Sequence, residues 1–184
     1  VVMEENPPIS SFCSHRRPFV LLRAMEPEDL ELLYSIENDY DLWQVSSTNV
    51  PYSRYVLHDY IANTTGDIFT DKQLRLIITD DSGANVIGIA DLVNFNPRHL
   101  RAEVGLVIQR AYRGQGYGKA AMDELITYAH EVLHLHQLYS LVAQDNTDCL
   151  RLFKTVGFQE NAQLKDWLYD GNEYHDVEVL QFFL

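Results

Sequence analysis

The sequence predicts a mixed α/β domain, and three features carry that reading. Two β-rich runs, Leu74 to Thr79 and Val86 to Val93, flank Asp80-Asp81-Ser82-Gly83, which is turn chemistry for an antiparallel hairpin. A third alternating run feeds a glycine-rich loop that opens onto a helical stripe. The chain then closes on a second hairpin, Trp167-Leu168-Tyr169 and Val177 to Phe183 around the turn Asp170-Gly171. Its 184 residues, 46% of them hydrophobic, suit one domain with a substantial core.

Residues 1 to 17 hold Pro7-Pro8, three serines and Arg16-Arg17 without an apolar period, so they read as an extended or flexible arm before a single domain over residues 18 to 184. Phe19 to Arg23 is a short strand. Pro27, followed by Glu28 and Asp29, opens a helix carrying Leu30, Leu33 and Tyr34. Between Asp41 and about Asp71, Trp43, Pro51, Tyr52, Tyr55, Leu57, Tyr60 and Ile61 fit a loop and then a second helix.

Val104, Leu106 and Ile108 alternate with Glu103, Gly105 and Val107, giving a strand that stops just before the glycine-rich loop. Met122, Leu125, Ile126, Ala129 and Leu133 then recur at helical spacing, with Lys119, Asp123, Thr127 and His130 facing outward. Leu138 to Ala143 is the next strand. Asn146 is a good N-cap for a helix with Cys149, Leu152, Phe153 and Val156 on one face, and Gly157 ends it in the left-handed conformation.

Fourteen Lys and Arg against 27 Asp and Glu give a formal net charge of −13, which repels nucleic acid phosphates and anionic membrane surfaces. The same balance suits a cationic substrate, and equally serves solubility alone. Two cysteines, Cys13 and Cys149, make no disulfide framework at this size, and a reducing cytoplasm is expected. No apolar run approaches the ~20 residues that cross a bilayer, so no membrane association is expected.

Gly114, Gly116 and Gly118 remove Cβ atoms so that successive backbone N–H groups can face one concavity suited to phosphate. The helix that follows contributes the partial positive charge of its N-terminus, and Arg113 and Lys119 stand at the rim. A dinucleotide fingerprint needs a glycine where Lys119 stands; a P-loop needs a glycine at Arg113 and a hydroxyl at Ala120. Both rivals fail on spacing.

Arg113-x-x-Gly116-x-Gly118 resembles the acyl-CoA loop of the GNAT superfamily of N-acetyltransferases, and Asn146-x-x-Cys149 with Phe153-Lys154-x-x-Gly157-Phe158 is similar to its second signature. Ala90-Asp91-Leu92-Val93, Arg101-Ala102-Glu103 and Asp170-Gly171-x-x-Tyr174-x-Asp176 look like spermidine N-acetyltransferases, with ribosomal-protein N-terminal acetyltransferases close behind. The resemblance implies a central, largely antiparallel twisted sheet flanked by helices, with a splayed strand pair at the acyl-CoA site. It implies acetyl-CoA as cosubstrate, gripped through its pyrophosphate by Arg113, Gly114, Gln115, Gly116, Tyr117, Gly118 and Lys119. It also places the backbone of Val107 and Ile108 against the acetyl and pantetheine groups, Asn146 on the pantetheine arm, and Phe153 beside the thiol.

The reaction so implied is direct attack of a neutral primary amine on the thioester, with Glu103 as the candidate catalytic base. Many relatives carry a tyrosine where Phe153 stands, and phenylalanine has no proton to give to the departing thiolate. A polyamine is the favoured acceptor, with Glu28, Glu31, Glu37, Asp39 and Asp41 as candidate ammonium partners. A protein N-terminal amine and a non-catalytic acyl-CoA-binding module are the alternatives, and a homo-oligomer is an open expectation without a copy number. His130-Glu131-Val132-Leu133-His134 matches a zinc hydrolase pattern, but its place on the exposed side of a helix end argues for helix-end cations, and no metal is expected.

Overall fold

A computed structural model describes residues 19–43 and 50–184; the arm predicted over residues 1–17, and Cys13 with it, lie outside them. In chain order the elements are β1 (Val20–Ala24), a 3-10 turn (Pro27–Asp29), α1 (Leu30–Glu37), α2 (Tyr40–Trp43), α3 (Arg54–Asn63) and α4 (Ile68–Asp71). There follow β2 (Leu74–Asp80), β3 (Val86–Asn96), β4 (Arg101–Ile108), a second 3-10 turn (Arg110–Tyr112) and α5 (Tyr117–Glu131). The chain ends with β5 (Gln137–Ala143), α6 (Thr147–Val156), β6 (Gln159–Tyr169) and β7 (Tyr174–Phe183).

The strands form one seven-stranded sheet in the order β1-β2-β3-β4-β5-β7-β6. Every pairing is antiparallel except β4 with β5, which is parallel and joined through α5. That one parallel pair follows from the helix between its strands, because parallel neighbours need a long crossover connection. The expected mixed, largely antiparallel sheet is therefore the fold found.

Strand alternation sorts the sheet into two apolar faces. Leu22, Ile78, Ala90, Leu92, Ala102, Val104 and Leu138 join Met122, Leu125 and Ala129 of α5 and Leu150 and Phe153 of α6 in the larger core. Ile77 and Ile89 point the other way and meet Leu33 of α1 and Leu57 of α3. The entry into α1 is locked electrostatically: Asp29, 5% exposed, takes two hydrogen bonds from the Arg23 guanidinium at 2.8 and 2.9 Å and one from Glu26 N at 2.8 Å. Pro27 pre-sets the turn in between.

Several boundaries differ from the sequence expectation. The stretch before β2 holds two helical turns, α2 and α4, besides the expected helix α3. Strand β6 starts directly after Phe158 and is mostly solvent-exposed along an edge, so it lacks the two-residue apolar rhythm that marks a half-buried strand. Helix α5 stops at Glu131: Val132 N and Leu133 N both turn back to Tyr128 O, and His134 adopts φ +52°. Leu133 and His134 thus lie beyond the helix that was expected to carry Leu133.

Gly157 closes α6 at φ +112°, and a Cβ there would sit 2.9 Å from the Phe182 ring. Gly157→Ala is expected to destabilise the fold by about 1–3 kcal/mol from the backbone conformation alone, measured by urea unfolding. A variant as stable as the parent would contradict this account of the helix end.

Candidate functional site

The site starts where the parallel ladder stops. β4 and β5 pair only at Arg101 with Gln137, Ala102 with Leu138 and Glu103 with Tyr139; beyond these the strands part. A cavity of about 540 Å³ opens in the fork, between the ends of both strands, the first turns of α6, the end of α1 and Trp167 and Leu168 of β6. The splayed pair implied by the sequence resemblance is this fork.

Of the predicted site residues, the cavity brings together Glu103, Val107, Asn146 and Phe153. Ile108 and the loop from Arg113 to Lys119 lie beyond its end, reached through the 3-10 turn that follows β4. The loop is tied back to the strand, since Arg113 Nε donates to Ile108 O at 2.9 Å and Gln115 Nε2 to Ala111 O at 2.9 Å. Gly114 and Gly116 have φ +71° and +88° with open space where a Cβ would project, so they are needed for their backbone conformation. Gly116 is the N-cap of the 15-residue α5 and has no side chain with which to satisfy the first N–H groups, which leaves them to an anion.

Gly118 has a packing task besides its place in the first turn of α5. It lies inside α5, and a Cβ there would meet Leu152 Cδ2 at 3.2 Å, so it serves the close packing of α5 on α6. Lys119 is paired with Asp123 one turn along, at 2.6 Å on an exposed face, and not aimed only at the loop. Tyr117 stacks on Phe19 with ring centres 4.9 Å apart, which anchors the first turn of α5 to the start of β1.

The opposite wall of the cavity is acidic. Glu103, Gly105 and Val107 share a face of β4 with Val93, Asp91 and Ile89 of β3, their register partners. Glu103 Oε2 accepts from Asn94 Nδ2 at 2.7 Å. Arg75 of β2 grips Asp91 with two bonds of 2.8 and 3.0 Å and Glu37 of α1 with one of 2.7 Å. Burial works against the Arg75 charge, but the attraction of Asp91 and then Glu37 outweighs it and holds the guanidinium protonated well above its ordinary range. Three carboxylates against one guanidinium leave this wall net negative.

Only Glu37 of the five acidic residues proposed for ammonium binding lines the cavity. Glu31 is held by Arg54 at 2.7 Å, and Asp41 by Arg110, which also reaches Asp39 at 3.8 Å. Glu28 is exposed on the first 3-10 turn. Glu31, Asp39 and Asp41 are taken up in ion pairs because arginines distant in sequence, Arg54 and Arg110, reach them in the fold. The reverse omission is Arg75, whose signal was a lone charge inside the apolar run Leu74 to Ile78.

On the α6 side, Asn146 caps the helix by accepting Cys149 N at 3.3 Å while also lining the cavity. Phe153 is 2% exposed and packs edge-to-face on Phe158 at 4.8 Å, so the inner wall is apolar where a tyrosine would carry a hydroxyl. Burial pushes the Cys149 thiol up to about 11, which keeps it protonated and unfit as a nucleophile at neutral pH. The His130 and His134 pair does not survive as one helical face: His134 sits past the end of α5, and both are exposed. Among the described residues the one clustered set of potential metal ligands is Asp170, Glu173 and His175, on the β6–β7 turn, where Asp170 also accepts Asn172 N and Glu173 N at 2.8 and 2.9 Å.

A family model described as an acetyltransferase (GNAT) domain matches residues 20–159. Spermidine N(1)-acetyltransferase from Vibrio cholerae serotype O1 is 26% identical over 157 residues, covering 85% of this chain and 88% of that protein. The crystal structure of spermidine N-acetyltransferase from Vibrio cholerae in complex with CoA and spermine superposes with TM-score 0.79 at 24% identity, over 90% of this chain and 95% of that one, a likeness of fold. A dodecameric structure of the Vibrio cholerae enzyme superposes with TM-score 0.75 at 26% identity, over 90% and 94% of the two chains.

The half-buried thiol of Cys149 gives a test of the α6 wall. In a Cys13→Ser background, Cys149 is expected to react with iodoacetamide at pH 8 roughly two orders of magnitude more slowly than free cysteine, and to speed up about tenfold per pH unit toward its raised pKa. Mass spectrometry of timed samples reads this; labelling as fast as in urea-unfolded protein would show an open, solvated wall.

Proposed function

We propose that this chain, which belongs to the GNAT acetyltransferase family, transfers the acetyl group of acetyl-CoA to a primary amine of a polyamine such as spermidine. Membership makes it an acetyl-CoA-dependent acetyltransferase. The observation that carries the acceptor class is the net-negative wall of Glu37, Asp91 and Glu103 in the fork cavity, facing the point where β4 runs out of partners. A polyamine offers ammonium groups at spaced positions, and paired carboxylates bind them by charge-assisted hydrogen bonds. The spermidine N-acetyltransferases to which the chain is similar support the same reading.

The residues divide the work as follows. The N–H groups of the Gly116 loop and the first turn of α5, with Arg113 beside them, take the pyrophosphate. The main chain from Gly105 to Ile108, freed from β5, runs alongside the pantetheine and offers N–H donors to the carbonyl oxygen as it gains charge. Glu103, held by Asn94, receives the proton that the attacking amine must lose, directly or through one water. The amine nitrogen then bonds to the acetyl carbon and the carbon–sulfur bond breaks. With an apolar Phe153 and a firmly protonated Cys149 on the α6 wall, the CoA sulfur leaves as thiolate and takes its proton from solvent.

A protein N-terminal amine is the second acceptor class, and the wall's carboxylates would serve its single ammonium as well. Among the described residues no helix is long and apolar enough to cross a membrane. We place the protein in the cytoplasm, as one domain over residues 18–184, in a homo-oligomer like the dodecamer of its relative.

Release of CoA on mixing with acetyl-CoA and spermidine, spermine or N-terminal peptides decides the acceptor; turnover confined to the peptides would remove the polyamine reading. Gly116→Trp is expected to abolish acetyl-CoA binding by calorimetry, since it fills the loop at a left-handed position. Glu103→Gln is expected to lower kcat/KM by about 10²-fold while acetyl-CoA binds as before. Full activity in that variant would assign the proton to another group.

A further inference from the structure

Three polar side chains are buried among the described residues, Asp29, Thr79 and Ser140, and the first has an evident task in the lock with Arg23. Ser140 stands out by position. It lies on β5 between Leu138 and Val142, on the face that builds the larger core, where the alternation calls for an apolar side chain. It is 6% exposed, its hydroxyl donates to Val104 O at 3.1 Å, and it lines the fork cavity.

Val104 is the first residue of β4 beyond the last paired rung, Glu103 with Tyr139. A side-chain hydroxyl therefore takes the first carbonyl that the parting strands leave behind. Without it, a buried carbonyl would have no donor, and it could regain one only if β4 moved toward β5 or water entered the core side of the fork. Either change alters the strand segment that follows, Gly105 to Ile108.

Resting on the acetyl-CoA reading above, we infer that Ser140 is a positioning residue for the acyl-CoA substrate: its bond to Val104 O sets where the β4–β5 ladder ends and holds the next stretch of β4 main chain in place to receive the pantetheine and thioester. The acceptor wall is fixed separately, Glu37 and Asp91 by Arg75, and Glu103 by Asn94 on the last paired rung of the ladder, so the effect falls on one substrate.

The test compares wild type, Ser140→Ala, Ser140→Cys and Ser140→Thr by calorimetric binding of acetyl-CoA, by KM for acetyl-CoA and for spermidine, and by thermal unfolding. Ala and Cys, which lack a strong donor, are expected to raise Kd and KM for acetyl-CoA tenfold or more and leave KM for spermidine within twofold. Thr, which keeps the hydroxyl, is expected to stay within threefold of wild type. If Ser140→Ala does not fold, Ser140→Cys, close in volume, carries the same comparison. Unchanged acetyl-CoA binding in Ala and Cys would overturn the inference, as would equal losses in Thr and Ala or a parallel rise in both KM values. Failure of the wild type itself to bind acetyl-CoA would instead remove the functional reading beneath it.

Discussion

A parallel strand pair that stops after three rungs, inside a sheet otherwise antiparallel, is the constraint on which this molecule turns. Antiparallel neighbours joined by short turns pair from end to end, as β2 with β3 and β6 with β7 do despite bulges at Ile78/Thr79, Glu160/Ala162 and Leu164/Leu168. β4 and β5 are joined by α5 instead, and α5 must cross the larger core before the chain returns. The pairing is then set by where that helix delivers the chain, and it is short. The unpaired main chain that results is costly in a core but useful in a cavity, where a ligand can supply the missing partners. The helix that forces the fork also begins at the glycine loop, so a binding end for an anion and an open strand edge arise from one connection.

Charge is arranged around the fork in two unlike zones. Beyond β4 the backbone itself is the electropositive element, through the uncapped start of α5. Across the sheet face, carboxylates prevail, with Arg75 binding Glu37 to Asp91 and so tying α1 to β2 and β3. A guanidinium matches this arrangement because its planar fork grips one carboxylate with two bonds and still reaches a second. The net charge of −13 was legible from composition, but which of its carboxylates meet at this wall was not.

The elements nearest the site were the most legible in the sequence. β4, the loop, α5, β5 and α6 all carry strong local signals: alternation, glycine spacing, a 3.6-residue stripe, and an Asn and a Gly at the two ends of α6. The short helices α2 and α4 and the exposed edge strand β6 were not legible, because a single turn or a solvated edge imposes no apolar period. Among the predicted site residues, Glu103, Val107, Asn146 and Phe153 line the cavity, whereas most of the acidic group on and around α1 lies outside it, Glu31 and Asp41 in ion pairs with Arg54 and Arg110. Sequence proximity groups such charges; the partners that claim them are many residues away.

By itself the sequence determined the strands and helices that carry an apolar period, the glycine loop between β4 and α5, and the absence of a hydroxyl at Phe153, since each depends on the residue and its near neighbours. Only the tertiary structure decided that Gly118 is a packing contact, that His134 leaves the helix of His130, and that Arg75 and Ser140 line the fork cavity. The reason is common to all four. Leu152, the end of α5, Asp91 and the Val104 carbonyl come within reach only after the sheet has assembled, and no local pattern encodes which strand will run out of partners or where.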